Sequence, residues 1–280
     1  MNYYKYMGRI SSECFLKDST IRFSQPRALN DPFELSPEIY CEESDAKLGM
    51  NFPTKYFLTG RESVVKKYLV PEDNFSKGSL MVDVKYQIEQ FNTKLGVLCL
   101  TRDHHIFPKN SLMWAHYGES HSGIALKFKK TCQFVSESHE VHYVKSRPII
   151  NAKIFFENAE ISIGDWFFKS DAWAYEREVR FPRHLDDCLN TGKKDCFGND
   201  IYVRHVESDL LECVYIGANA SDDLKHLALA FHNKTGVDVI YLGVGSRQYS
   251  LIPYSFNSRK SYDHMIEKIM RIHQESLVLF

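Results

Sequence analysis

Trp173-Ala-Tyr-Glu-Arg-Glu-Val-Arg-Phe181 is the stretch on which the reading of this chain turns. It alternates. On an extended strand Tyr175, Arg177, Val179 and Phe181 fall on one face, and Glu176, Glu178 and Arg180 on the other, because strand side chains have period two. That spacing sets two carboxylates roughly 7 Å apart with a guanidinium next in line. Such a row can polarise a sugar hydroxyl and stabilise a developing cation. It can also be an ordinary wet strand face. Its aromatic company (Trp166, Phe167, Phe168, Trp173 and Tyr175) favours a site.

Working outward, short strands are expected at Tyr3–Tyr6, Ile21–Ser24, 96–101, 123–128, 140–144 and 176–181. Three more are expected at 201–206, 211–216 and 237–242, with an edge strand at Leu251–Ser255 because of Pro253. Helices are expected at 11–18, 79–94, 111–117 and 149–169. A further helix over 221–234 carries a Ser221 cap, a stripe of Leu224, Leu227, Ala228 and Phe231, and a Gly236 stop. Strands outnumber helices and do not alternate strictly with them. This implies an α+β fold with a largely antiparallel or mixed sheet flanked by helices. A single domain over 1–280 is expected, with 40–77 a lid or insertion and 258–280 a C-terminal helix.

The 280 residues carry 35 basic and 36 acidic side chains, for a net charge of −1. No global pull toward nucleic acid or an anionic membrane follows from that balance. Seven scattered cysteines without a Cys-x-x-Cys suit free thiols in a reducing cytoplasm. No apolar run approaches the ~18 residues of a membrane span, and the start does not read as a signal peptide.

Two further segments carry chemistry. Met113-Trp-Ala-His-Tyr-Gly-Glu-Ser-His-Ser-Gly123 is a helix-to-strand corner. Trp114 and Tyr117 offer rings for stacking, and His116 and His121 offer acid–base groups near neutral pH. The plainer alternative makes Trp114 core and His116 a cap. Ser24 followed by Leu29-Asn-Asp-Pro-Phe-Glu34 either presents Ser24, Asn30 and Asp31 to a ligand or forms a rigid Asx turn, and spacing favours the turn. No run has the spacing of a zinc site, so no metal is expected. Gly243-Val-Gly245 lacks the third glycine and following helix of a dinucleotide fingerprint.

Taken together, Leu29-Asn-Asp-Pro-Phe-Glu34, the Trp114–Gly123 corner and Trp173-x-Tyr-Glu-x-Glu-x-Arg180 resemble a widespread bacterial family catalogued as a domain of unknown function. The resemblance runs from about residue 3 to about residue 245. The order of an early aromatic/basic strand, a strand ending in Ser and a late Glu-x-Glu also resembles ADP-ribosyltransferases of bacterial toxins and phage-defence enzymes. That resemblance implies NAD as substrate, cleaved at the nicotinamide–ribose bond. It makes Glu178 the catalytic carboxylate, Glu176 the group that orients the acceptor, and Ser24 the support beneath nicotinamide. Lys5, Tyr6 and Arg9 compete for the early position. Trp114 or Tyr117 would stack on a ring, and Arg180 would keep Glu178 ionised or contact a phosphate. His116 (acid–base), His121 and Tyr175 complete the expected site, and the acceptor is left open between a nucleic acid, a protein and a small molecule. Two other readings stand beside this one. One is a hydrolase or nuclease using His116, His121 and the Glu pair. The other is a non-enzymatic sensor of a nucleotide or protein.

Overall fold

The computed structural model describes residues 1–35, 38–40, 92–151, 166–245 and 249–255. In chain order its elements begin with β1 (Asn2–Met7), α1 (Arg9–Asp18), β2 (Thr20–Phe23), β3 (Glu38–Tyr40), β4 (Leu95–Asp103), α2 (Ser111–His116), β5 (Ile124–Phe128) and α3 (Gln133–Ser136). There follow β6 (His139–Glu140), β7 (His142–Val144), β8 (Ile149–Asn151), β9 (Phe168–Ser170), β10 (Glu178–His184) and β11 (Leu189–Lys194). The last are β12 (Asp200–His205), β13 (Leu211–Ile216), α4 (Asp222–Thr235), β14 (Asp238–Val244) and β15 (Leu251–Ser255).

The fold is α+β, with mixed, mostly antiparallel pairing, and the chain divides into two compact units. The first comprises Met1–Ser19, Asp103–Cys132 and Val206–Phe280. Its strands run in the order β15-β14-β13-β5-β1, antiparallel except for β13 with β14. Pro253 lies on the terminal strand of that order, where its missing N–H is tolerated. α4 forms as its sequence dictates. The Ser221 side chain accepts from the Leu224 N–H, Leu224, Ala228 and Phe231 are buried, and Gly236 caps the end at φ 74°. Phe231 meets Phe15 of α1 with ring centroids 5.6 Å apart.

The second unit comprises Thr20–Arg102 and Gln133–His205. β10 lies between β4 and β6, antiparallel to both. A separate antiparallel set runs β11-β12-β2, while β7 pairs in parallel with β9 and β3 with β8. Phe23, Phe134 and Phe181, all fully buried, form the aromatic centre of this core. Pro182 stands in the middle of β10 opposite Val97. Val97 spends its own N–H and C=O on Ser24, so Val97/Pro182 is a non-hydrogen-bonded pair. The nitrogen of Pro182 therefore points away from β4, and no ladder bond is lost.

Several expectations need correction. Glu176 is not in a strand. Asp171–Glu176 is a 3-10 turn, Arg177 sits in the left-handed region at φ 46°, and β10 begins only at Glu178. The reversal at Arg177 breaks the extended alternation that the sequence suggests. The face is also not wet, since Glu176, Glu178 and Arg180 are all buried. The helix expected over 149–169 is a strand at both described ends, Ile149–Asn151 and Phe168–Ser170. Leu189–Lys194, for which the sequence suggests no element, is a strand. The lid over 40–77 and the C-terminal helix over 258–280 lie outside the described residues, as does most of the helix over 79–94.

Candidate functional site

Five charged side chains meet in the second unit, and each is placed by a simple local device. Glu34 follows Pro32 in an Asx turn, where Asp31 Oδ1 accepts the Phe33 N–H at 2.9 Å and the Asp31 carbonyl accepts the Glu34 N–H at 3.2 Å. Lys169 is the middle residue of β9. Glu176 ends the 3-10 turn, which starts at a Ser170 cap. Glu178 and Arg180 are two residues apart on β10 and so share a face. The backbone N–H of Glu178 donates to the Tyr143 hydroxyl at 2.8 Å, and its carbonyl accepts from Val141. That fixes the first residue of the strand on the side facing β6.

The cluster is dense and dry. Arg180 is fully buried, Glu176 is 2% exposed and Glu178 7%. Arg180 Nε donates to Glu178 Oε1 at 2.8 Å and Nη2 to Oε2 at 3.0 Å, a bidentate pairing. Nη2 also donates to Glu34. Lys169 Nζ donates to Glu176 at 2.6 Å and to Glu178 at 3.3 Å. It lies 2.9 Å from Glu34 Oε1, an ion pair without hydrogen-bond geometry. Arg180 Nη1 is buried without a hydrogen-bond partner. The Trp173 ring lies 5.0 Å from Lys169 Nζ, and the Phe167 ring 5.5 Å from the Arg180 guanidinium.

Burial alone would raise the pKa of Glu178. The Arg180 guanidinium, bonded to both carboxylate oxygens, and then Lys169 overcome that and hold it down to about 2. Arg180 is correspondingly held cationic: burial opposes its charge, and Glu178 leads the groups that restore it. Three carboxylates against two cations leave these five groups with one formal negative charge. A buried, ionised carboxylate in a net anionic, aromatic-walled cluster is suited to stabilising positive charge that develops beside it.

The first unit holds the other constellation. Trp114 is fully buried and donates from Nε1 to the Pro108 carbonyl at 2.5 Å. Tyr6 packs edge-on against it at 5.2 Å, and the His121 ring stacks on it at 5.9 Å and 11°. Glu119, Ser120 and His121 are three successive residues at positive φ (48°, 53° and 67°). Tyr6 Oη and His121 Nδ1 are buried without hydrogen-bond partners. Burial favours neutral His121, and it pushes the Tyr6 phenol up, with Asp103 adding to the effect. His116 is exposed and Tyr117 half-buried.

The structure thus brings Glu176, Glu178 and Arg180 together, with Tyr175 joined to Trp173 at 6.1 Å. Asp31 supports the cluster as the capping group of the Glu34 turn. Asn30 is exposed. Ser24 bridges to Val97, while Glu178 pairs with Thr101, roughly 13 Å further along β4. Ser24, expected beneath nicotinamide, therefore stands well along β4 from the residue that pairs with Glu178. Trp114, with no exposed surface, is core rather than a stacking platform. Tyr6, Trp114, His116, Tyr117 and His121 all belong to the first unit. Sequence reasoning missed Lys169, Glu34 and Tyr143. Glu34 closes a motif already in view, but Lys169 was hidden in a segment read as helical. Among the described residues, no group of three or more His, Cys, Asp and Glu is arranged to hold a metal ion. Nor is any described helix long and apolar enough to cross a membrane.

Residues 113–181 match a family described as Protein of unknown function (DUF2971). That stretch holds both the Trp114–Gly123 corner and the Glu176–Arg180 row, in agreement with the resemblance to a domain-of-unknown-function family. No curated protein and no solved structure matches the chain.

Proposed function

We propose that this chain is an NAD-consuming, ADP-ribosyltransferase-like enzyme in which Glu178 serves the cleavage of the nicotinamide–ribose bond. The observation that carries the reading is Glu178 itself, a carboxylate kept ionised in a buried cluster of net negative charge. In the reaction the glycosidic C–N bond breaks and its electron pair leaves with nicotinamide, whose ring charge is thereby neutralised. The ribose becomes oxocarbenium-like. A carboxylate that accepts from the ribose 2′-hydroxyl binds more strongly as that charge grows, so it favours the transition state over the ground state. Water or an acceptor hydroxyl, amine or base nitrogen then adds to the anomeric carbon and loses its proton. Glu176, bonded to Lys169 beside Glu178, is the residue suited to orient that nucleophile. Acceptors in conflict between bacteria and phages, whether nucleic acid or protein, fit the same chemistry.

A second reading is favoured by a specific observation: both oxygens of Glu178 are already engaged by Arg180. On that reading the cluster binds a nucleotide without turning it over. Incubation with NAD separates the two. Thermal stabilisation with nicotinamide release by the wild type, and release lost in Glu178→Gln, is the expected result. Stabilisation without release would favour the sensor, and neither would remove NAD from consideration.

A further inference from the structure

We infer that Tyr143 is the residue through which the charged cluster meets its ligand. Its hydroxyl donates to an uncharged oxygen of a ribose, so the cluster takes the nicotinamide riboside half of the substrate and not its phosphates. The inference rests on the reading of Glu178 as the residue that acts on that ribose, and it starts from burial. Glu34, Lys169, Glu176, Glu178 and Arg180 are at most 7% exposed. Tyr143, bonded to the first residue of β10, is only half-buried.

Two contacts place Tyr143. β7 runs parallel to β9 with Tyr143 opposite Lys169, so these two side chains share a face, while His142 and Val144 take the other. The Tyr143 hydroxyl then accepts the Glu178 N–H at 2.8 Å. That bond uses a lone pair and leaves the phenolic proton. Among the described residues the hydroxyl donates to no acceptor. Burial first, and then the charges of Glu178 and Glu176, raise the phenol against the opposing effects of the Glu178 N–H bond and Lys169. It therefore stays a donor throughout the neutral range.

A second donor is left over in the cluster itself. Arg180 is fully buried and spends Nε and Nη2 on Glu178 and Glu34, while Nη1 has no hydrogen-bond partner. A site with donors to spare recruits oxygen. Its charge says which oxygen. Three carboxylates against two cations leave one net negative charge, which repels phosphate and attracts the positive pyridinium of nicotinamide riboside. Tyr143 supplies what a carboxylate lacks, a proton for a sugar oxygen, while Glu178 accepts from the 2′-hydroxyl. No bond is made or broken at Tyr143; it holds the ribose in place.

Calorimetric titration of the full chain with nicotinamide riboside and with inorganic pyrophosphate tests this. The wild type is expected to bind the riboside and not pyrophosphate. Tyr143→Phe is expected to weaken riboside binding about tenfold, and His142→Ala, on the other face of β7, to leave it unchanged. Loss of the Glu178 N–H bond lowers the urea midpoint of Tyr143→Phe, but a purely structural role leaves the dissociation constant of the folded protein where it was. Replacement of Tyr143 by O-methyltyrosine, whose oxygen still accepts but carries no proton, is expected to match Phe. Hydroxyl-radical footprinting of the wild type needs no variant to fold, and the riboside should protect Tyr143 there. Absence of riboside binding, equal affinity in wild type and Tyr143→Phe, binding of pyrophosphate in place of the riboside, or no protection of Tyr143 overturns the inference. Nicotinamide release from the riboside, read on the same samples, reports on cleavage alone. Weakened binding in Tyr143→Phe without release by the wild type retains this inference and removes the NAD-consuming reading. Release with unchanged affinity in Tyr143→Phe does the reverse.

Discussion

At the scale of the residue, Glu178 makes a prediction about acid. Its folded pKa, about 2, lies below the ordinary glutamate value of 4.5. A depressed carboxylate contributes stability that is complete above the unfolded value and is lost as pH falls toward the folded one. The window is therefore pH 4.5 down to about 2, with a contribution on the order of 3 kcal/mol. Urea midpoints measured from pH 6 to 2.5 should fall steeply for the wild type across that window and less steeply for Glu178→Gln. The same variant should start less stable at pH 6, since Arg180 loses its bidentate partner. Arg180→Leu should be worse, by about 3–5 kcal/mol, because Glu34 and Glu178 are left buried against Lys169 alone. A loss below about 1 kcal/mol by denaturant titration would mean that water reaches the cluster. Glu176, Glu178 and Arg180 could be singled out because charges at period two on one face are visible in sequence. Lys169 and Glu34 join them only through β9 and the Asx turn, contacts that no local pattern encodes.

Secondary-structure elements tell a similar story. α4 and the strands of the first unit were legible because cap, stripe and alternation agreed. The start of β10 was not, since Arg177 takes a conformation its residue type gives no reason to expect. The Glu-x-Glu-x-Arg row thus gathers on one cluster by a turn and a strand rather than by one strand. Gly123 shows what an element boundary can demand. A Cβ there would lie 1.9 Å from the Met7 carbonyl oxygen, on backbone that cannot step aside. Gly123→Ala should cost about 3 kcal/mol or more and separate the start of β5 from the end of β1. Calorimetry tests the cost, and amide exchange at Met7 and Ile124 locates it.

For the whole molecule, composition excluded more than it identified. A net charge of −1 argued against non-specific nucleic-acid binding but could not choose an acceptor. Strand excess over helix indicated α+β correctly, while two compact units could not be read from a chain without a visible linker. The cysteines offer a global check on packing. Among the six described, Cys14 and Cys196 are exposed, while Cys132 and Cys213 are buried. Burial pushes the Cys213 thiol up to about 12. A thiol reagent at neutral pH should modify Cys14 and Cys196 within the native state, and Cys132 and Cys213 only on unfolding, as mass spectrometry of the labelled peptides would show. Early modification of Cys213 would contradict this packing. Pro182 bears on the fate of many molecules held together at high concentration. The described pairing of β6 with β10 ends at His139↔Arg180, and two residues further on the backbone nitrogen that a foreign strand would need carries no hydrogen. A neighbouring copy finds no unbroken row of N–H donors along that margin, which disfavours strand addition there and so closes one route to stacking into fibres.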